Sequence, residues 1–150
     1  MTQRLDHQAL APEAMRVLAA VYQHVGKSGL PGTLLNLVFL RASQINGCAF
    51  CIASHTQDLL REGVSPMKLQ MLQAWRESGA LFSPAECAAL EWTEVVTLIG
   101  DTHAPDDAYA AVSTHFEGRQ LVELTLAIAL INAYNRLAIA FRRTPPLQSQ

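Results

Sequence analysis

Charge is scarce in this sequence. Charged residues occupy 16% of the 150 positions, whereas a typical soluble domain carries about 25%. Lysine and arginine together number 11 and aspartate and glutamate 13, so the formal net charge is −2 and there is no basic excess. This balance argues against a nucleic-acid-binding surface, which needs a basic patch. Because 50% of the residues are hydrophobic, we expect a large core or an apolar surface covered by another subunit, and we favour a homo-oligomer.

Cysteine is also rare, and no segment resembles a targeting signal. Three cysteines, two of them close together, do not form the disulfide framework of a small secreted protein. The first ten residues include Arg4 and Asp6 and contain no apolar run, so they do not resemble a secretory signal. The most apolar stretch, residues 121–141, includes Glu123 and Arg136, which a bilayer span would not carry. We therefore expect a cytoplasmic protein without a membrane segment.

Alternating strand patterns are absent, and the punctuation of the sequence is typical of helices. Five prolines each precede an apolar run with helical spacing, where a proline at the first turn is tolerated. Ser83 and Glu86 have the spacing of a capping box. The sequence predicts an all-α fold in a single domain spanning residues 1–150, with a core over about 10–146 and loose terminal tails. About seven helices are predicted, at residues 12–25, 31–45, 48–62, 66–76, 84–100, 105–115 and 119–142.

The most informative motif is a C-x-x-C pair followed by a histidine. Asn46-Gly47 indicates a turn, which places Cys48 near the start of a helix, where free backbone amides favour thiolate over thiol. Cys51 lies three residues later on the same face, so the two cysteines can close a short disulfide. His55 lies one further turn along and can take the thiol proton or, as imidazolium, hold the thiolate. This pattern is typical of a dithiol redox site.

Two other interpretations of the cysteine pair remain open at this point. A structural metal such as zinc needs about four ligands, but Cys48, Cys51 and His55 supply three, and Cys87 is the one remaining thiol. The pair can also be two small apolar residues buried in a core. We predict no metal and no cofactor, and we assign Cys87 to the core.

The same region carries a resemblance to a known family. Residues 40–51 read LRASQINGCAFC, and with His55 they resemble the carboxymuconolactone decarboxylase superfamily, in its AhpD-like alkylhydroperoxidase branch. Residues 74–78 and 131–138 also look like this branch, and the resemblance covers about residues 10–146. It implies an all-α fold, assembly as trimers or hexamers, and a peroxidase cycle on the C-x-x-C motif.

The resemblance also implies a role for each residue of the motif. Cys51 would attack the hydroperoxide, Cys48 would resolve the product as a Cys48–Cys51 disulfide, and His55 would be the base. A dithiol, or a lipoyl or thioredoxin-like protein donor, would then reduce the disulfide. We further expect Cys48 to be the more exposed thiol, because it lies nearer the helix tip.

One position departs from the pattern of the branch. A glutamate usually lies twelve residues before the first cysteine and relays protons, but this chain has Asn36 there. An asparagine side chain forms hydrogen bonds but neither accepts nor delivers a proton at neutral pH. The predicted helix at 31–45 contains no acidic residue. Asp58 and Glu62 follow His55 on the next helix, and we expect neither to replace the missing relay.

These observations predict a thiol-dependent alkyl hydroperoxide reductase of antioxidant defence. The alternative is a weak peroxidase that works as a thiol redox sensor or as an interaction protein in a stress response. Lactone decarboxylation is the least favoured activity, because it does not use a C-x-x-C pair.

Overall fold

The structure is a computed structural model that describes residues 2–145. In this range it consists of helices and connecting segments without a β-strand, which confirms the predicted all-α fold. The helices are α1 His7–Leu10, α2 Pro12–Val25, α3 Gly32–Asn46, α4 Ala49–Arg61, α5 Pro66–Met71, α6 Pro84–Thr97, α7 Ile99–Thr102, α8 Asp106–Ser113 and α9 Arg119–Ala140, with 3-10 segments at Leu72–Glu77 and Gly79–Leu81.

All seven predicted helices are present, and the two whose ends differ most from the prediction are those at 66–76 and 84–100, which end at Met71 and Thr97. The predicted helix at 66–76 is α-helical to Met71 and then tightens into a 3-10 segment, in which Ala74 leaves helical geometry (φ −120°, ψ 32°). The buried Trp75 donates from its indole Nε1 to Glu94 at 2.8 Å, so tertiary contacts override the helical pattern there. The predicted helix at 84–100 is interrupted at Leu98, after which the one-turn α7 follows.

Serine side chains cap the starts of α5 and α6, and the cap of α6 is the predicted capping box. The backbone N–H of Ser83 donates to Glu86 Oε2 at 2.8 Å, and the N–H of Glu86 donates to Ser83 Oγ at 3.2 Å. Ser65 accepts from the N–H of Lys68 at 3.2 Å. These contacts satisfy amides that the first turn of a helix leaves without a partner.

The long helix α9 forms the centre of the fold. It packs against α2, α3 and α6, and Leu124, Ala127 and Ile128 are fully buried on it. It is the one helix of the described range whose length and hydropathy would suffice to cross a bilayer, yet half of its most apolar stretch is buried inside the structure. It therefore has the burial expected of a core helix, and it brings Asn135 against the α3–α4 junction.

The N-terminal segment is fastened to the end of α9, although the sequence predicted a loose tail there. The N–H of Arg4 donates to the carbonyl of Phe141 at 3.0 Å, and its guanidinium donates to Ala140 O at 3.1 Å. His7 is buried and stacks on the Phe141 ring, with the centroids 5.4 Å apart. The predicted loose C-terminal tail lies largely outside the described residues.

Candidate active site

The junction of α3 and α4 positions the two thiols of the C-x-x-C motif. Gly47 ends α3 in the left-handed region (φ 71°), which a glycine adopts at little cost. The N–H of Cys48 donates to Ser43 O at 2.9 Å, and this hydrogen bond closes the tight turn between α3 and α4. Cys48 then caps α4, and its carbonyl accepts from the N–H of Ile52 at 2.9 Å. Cys51 follows in the first turn, on the same side as Cys48.

The two sulfurs are unbonded thiols in contact, with Sγ atoms 2.8 Å apart. Both are buried, Cys48 with 1% and Cys51 with 5% of its surface exposed. The expectation that Cys48 is the more exposed thiol is therefore wrong. Proximity to a helix tip does not expose a residue when a second helix covers the tip, and here α9 lies over it.

The contact between the thiols separates their acidities. The hydrogen bond from Cys51 lowers the pKa of Cys48 to about 7, while burial opposes this shift. The same bond and the negative charge on Cys48, together with burial, raise the pKa of Cys51. The two thiols therefore titrate as a pair, which loses one proton near neutral pH and keeps the other between the two sulfurs. The resemblance implied an activated Cys51, and the contact between the sulfurs stabilises a thiolate on the pair to which Cys51 belongs.

His55 lies on α4 one turn after Cys51, buried against Phe39 with ring centroids 5.1 Å apart. Burial lowers the pKa of His55 to about 4, and the charge of Asp58 offsets only part of this effect. The imidazole is thus neutral at physiological pH. A neutral ring can accept a proton, but it supplies no positive charge to hold a thiolate, which excludes one of the two roles that the sequence left open.

Asn36 connects His55 to a carboxylate that sequence reasoning did not place in the site. Its Nδ2 donates to Glu62 Oε1 at 2.8 Å, and its Oδ1 lies 3.2 Å from His55 Nδ1. An ionised carboxylate only accepts, so the amide nitrogen must face Glu62 and the amide oxygen must face the ring. His55 consequently carries its proton on Nδ1 and leaves Nε2 free to accept.

Glu62 thus reaches the position of the missing glutamate, but it meets His55 only through the Asn36 amide, which neither accepts nor delivers a proton. Glu62 follows His55 by seven residues, which is two helical turns on one face. This spacing is the sequence signal that could have placed Glu62 near the site. What the sequence could not give is that α3 presents Asn36 to both residues at once.

Asn135 of α9 is a second residue that sequence reasoning did not assign to the site. It is fully buried, donates from Nδ2 to Ser43 Oγ at 3.0 Å, and accepts from Asn46 Nδ2 at 2.9 Å. Its side chain lowers the pKa of Cys48 and of Cys51. A fixed amide beside the sulfurs thus favours the thiolate without adding a charge.

Three neighbouring cavities lie near the thiols, and two of them are lined by a cysteine. The thiol chamber, of about 240 Å³, is open to Cys51 and His55. The Cys48 cavity, of about 230 Å³, lies on the other side of the pair. The vestibule, of about 520 Å³, adjoins the chamber and is lined largely by polar residues. Arg143 lines all three cavities. Besides Cys51, His55 and Arg143, the thiol chamber is lined by His7, Tyr22, Phe50, Ser54, Asp58, Ile131, Tyr134 and Ala138.

The structure brings three of the predicted site residues together and links the fourth through His55. Cys51 and His55 line one chamber, although no hydrogen bond joins them within residues 2–145. Cys87 lies apart on α6, where its Sγ is 3.8 Å from Phe82 O. Over the described part of the chain, no group of three or more histidine, cysteine or acidic residues is arranged to hold a metal ion.

Comparisons with known proteins agree with this architecture. The carboxymuconolactone decarboxylase family matches residues 12–95. The Bacillus subtilis (strain 168) protein YdfG is 39% identical over 140 residues, which cover 93% of this chain and 95% of that protein. A crystal structure from Agrobacterium tumefaciens, of a protein of unknown function named as a candidate AhpD antioxidant defence protein, superposes with a TM-score of 0.94 at 37% identity, covering 98% of this chain and 100% of that one. A peroxidase-related protein from Silicibacter sp. TM1040 shares the fold at 19% identity, with a TM-score of 0.82 over 93% of this chain and 74% of that chain.

Proposed function

Since the chain belongs to the carboxymuconolactone decarboxylase family, in its AhpD-like branch, we propose that it is a thiol-dependent reductase of organic hydroperoxides in antioxidant defence. The observation that carries the proposal is the contact of two free thiols, 2.8 Å apart, beside a chamber that also holds a neutral imidazole. The names given to the related structures, an AhpD protein and a peroxidase-related protein, support the same class of activity.

The first step is the attack of Cys51 on the hydroperoxide in the thiol chamber. Its sulfur attacks the terminal peroxide oxygen and the O–O bond breaks. Cys51 loses its proton to His55 Nε2, which passes that proton to the departing alkoxide. The products are an alcohol and a sulfenic acid on Cys51. We assign this step to Cys51 because the chamber opens to Cys51 and His55, whereas Cys48 faces a separate cavity.

The second step uses the low pKa of Cys48. Its thiolate attacks the sulfenic sulfur of Cys51, a disulfide forms, and hydroxide leaves and takes a proton to become water. A dithiol donor then reduces the disulfide by thiol exchange and is itself oxidised to a disulfide. The sum is one hydroperoxide and one dithiol giving one alcohol, one water and one oxidised donor. No cofactor or metal is required by this scheme.

The partners follow from the same scheme. The donor is a small dithiol or a lipoyl or thioredoxin-like protein, in a reducing cytoplasm. We also propose a homo-oligomer, a trimer or hexamer, in which the outer face of α9 is covered. Val122 on that face is 67% exposed, and an apolar groove with Trp92 and Leu121 adjoins it. Light scattering at micromolar concentration should give a multiple of the 16.4 kDa chain mass, and a monomer mass would contradict this part of the proposal.

The experiment for the activity measures peroxide consumption with dithiothreitol as donor, for native protein, Cys48→Ser and Cys51→Ser. We expect turnover in the native protein and none in either variant. One equivalent of hydroperoxide should trap a sulfenic acid in Cys48→Ser but not in Cys51→Ser. Peptide mapping of oxidised native protein should find the Cys48–Cys51 disulfide with Cys87 free. A sulfenic acid at Cys48 in the Cys51→Ser protein would reverse the two roles.

A second candidate function is a thiol redox sensor, favoured by the weak basicity of His55. A base with a pKa of about 4 is a weak acceptor for the proton of a buried thiol. In that case one equivalent of peroxide would oxidise the pair, and added dithiol would not sustain consumption. Stoichiometric oxidation without turnover would therefore support the sensor over the enzyme.

A further inference from the structure

Arg143 occupies an unusual place, because it is a positive charge at the meeting point of the three cavities around the thiols. It follows α9 directly. Arg142 adopts a left-handed conformation (φ 56°), and the N–H of Arg143 donates to Ala138 O at 2.8 Å. The side chain then lies over the Phe50 ring, with Cζ 3.8 Å from the ring centroid. The backbone turn and the stacking contact fix the guanidinium at the rim of the thiol chamber.

No carboxylate of the described residues forms an ion pair with Arg143, and its charge is close enough to Cys51 to lower the pKa of that thiol. Two carboxylates line the same cavities, and both are engaged elsewhere. Asp6 accepts from the backbone N–H groups of Gln8 and Ala9 at 3.0 and 3.2 Å. Asp58 pairs with Arg61 at 3.0 Å. An arginine that stays permanently charged and is held by stacking leaves its planar edge free for a carboxylate.

The shape of the cavities shows what kind of molecule would bring that carboxylate. The thiol chamber and the vestibule share His7, Phe50, Ser54 and Arg143 in their linings. A molecule longer than the chamber therefore has a path into the vestibule past the guanidinium. The chamber of about 240 Å³ holds roughly eight waters at ~30 Å³ each, so it is far larger than hydrogen peroxide requires. His7 adds a buried Nδ1 that has no hydrogen-bond partner in the described structure.

We propose that Arg143 binds the carboxylate of an organic hydroperoxide whose peroxide end lies in the thiol chamber against Cys51 and His55. This inference rests on the proposed function and adds the substrate class to it. The apolar middle of the substrate would contact Phe50, Ile131 and Tyr134. Arg143 is in this scheme a specificity-determining residue, since it contacts the substrate away from the reacting oxygens.

The test compares cumene hydroperoxide carrying a para-carboxylate with the methyl ester of the same compound, using dithiothreitol as donor. We expect native kcat/KM to be about tenfold higher for the acid than for the ester, as for a charge-assisted contact. Because Arg143 also lowers the pKa of Cys51, Arg143→Gln should lower kcat/KM for both compounds, and more for the acid, so that the two values come within about twofold of each other. Arg143→Lys should keep part of the preference. Arg16→Gln is the control, because Arg16 is an exposed arginine on α2 that lines none of the cavities.

Two results would overturn the inference. One is an equal kcat/KM for acid and ester in the native protein. The other is a preference that Arg143→Gln leaves intact. Binding measured by calorimetry with the corresponding alcohols, which cannot react, separates this inference from the proposed function. No turnover of either hydroperoxide would refute the function, while tighter binding of the carboxylated alcohol, lost in Arg143→Gln, would still support the site.

A second arm asks whether the carboxylate belongs to the electron donor, because Arg143 also lines the Cys48 cavity. Uncharged cumene hydroperoxide is reduced with dihydrolipoic acid or with dihydrolipoamide. We expect dihydrolipoic acid and dihydrolipoamide to give equal rates with native protein. We also expect the two donors to give equal rates with Arg143→Gln. A preference for the acid that disappears in Arg143→Gln would assign the contact to the donor and overturn the assignment to the hydroperoxide.

Discussion

Two polar side chains with little exposure, the half-buried Glu94 and the buried His55, have pKa values set by opposite causes. Glu94 on α6 accepts from the indole of Trp75 and from Arg41, both at 2.8 Å, and also from Arg76. Burial raises its pKa, but these bonds and charges outweigh burial and leave the pKa below its usual value. His55 is buried among apolar groups and one amide, so burial prevails and its pKa falls to about 4.

The difference shows that the fold compensates a charge where it holds elements together and keeps the ring uncharged where a proton is to be transferred. At Glu94 the charge is fully compensated, which holds α6 against α3 and the 3-10 segment. At His55 charge is excluded, and the ring is held by an amide that fixes its tautomer. A group that is to accept and release a proton is useful only when neither form is locked by an ion pair.

The largest expected effect is on stability, at the compensated group. Glu94→Gln leaves the Arg41 charge without a carboxylate and leaves Arg76 with its exposed contact to Glu91, and we expect it to lower the free energy of unfolding by about 3 kcal/mol. Urea unfolding followed by circular dichroism measures this. The control is Glu91→Gln, because Glu91 meets Arg76 at 3.8 Å on the surface and an exposed pair is worth at most about 1 kcal/mol. Equal losses in the two variants would contradict the comparison.

The next effect is on activity, at the uncompensated group. His55→Ala removes the base of the thiol chamber, and we expect peroxide turnover to fall about 100-fold. Stopped-flow consumption of cumene hydroperoxide with dithiothreitol measures this. His115→Ala, at an exposed histidine that lines none of the described cavities, should keep native turnover. If His55→Ala retains most of the rate, the base lies elsewhere.

A third prediction concerns the pH at which His55 and Glu94 each change the stability of the folded protein. In the folded protein the pKa of His55 is lowered from 6.5 to about 4. As the pH falls, His55 therefore takes up a proton in the unfolded chain at a higher pH than in the folded protein. The folded state loses stability as the pH falls below 6.5. Between pH 6.5 and 4.5 this loss reaches roughly 2 kcal/mol. The Glu94 contribution is present above 4.5, the ordinary pKa of a glutamate, and is lost only as the pH falls further, through the depressed folded value.

Urea titrations at steps between pH 4.5 and 7.5 check this order. The difference in unfolding free energy between native protein and His55→Gln should change across this range, whereas the difference between native protein and Glu94→Gln should stay flat. A flat His55 difference would mean that the imidazole is not desolvated in the folded state.

The smallest effects concern Asn36 and Glu62. A glutamate at position 36 would restore a proton-accepting group beside His55, but it would also place a second carboxylate against Glu62, 2.8 Å from the present amide. We therefore expect Asn36→Glu with Glu62→Gln to raise turnover about three- to tenfold, and Asn36→Glu alone to gain less. Rates at pH 6–9 with one donor test this. If neither protein is faster, the missing relay does not limit the reaction.

Much of the fold could be predicted from local patterns. Proline and serine at helix starts and the apolar spacing give the seven main helices and the capping box at Ser83, and the C-x-x-C motif with His55 gives the site on α4. The 3-10 segment after α5 could not be predicted, because it depends on Trp75 reaching Glu94 from another helix.

The parts of the site that the sequence left out all require two helices to meet. Glu62, Asn135 and Arg143 lie just after α4, on α9 and just after α9, and each acts through a partner on another element or turn. The order of the thiol pKa values likewise depends on the 2.8 Å contact and on cover by α9, which no local spacing reports.

The backbone hydrogen bond between Arg4 and Phe141 brings the beginning of the described chain close to the end of its last helix. Between residues 3 and 145 the backbone is therefore nearly a closed ring, and a short linker that joins these two residues would allow a circular permutant to be built, with new termini in the loop between α7 and α8. The same closeness has a practical side. Gln3 and Pro145 both line the vestibule, so a bulky group joined to either residue would stand at the entrance to the thiol chamber and would be expected to slow the entry of substrate.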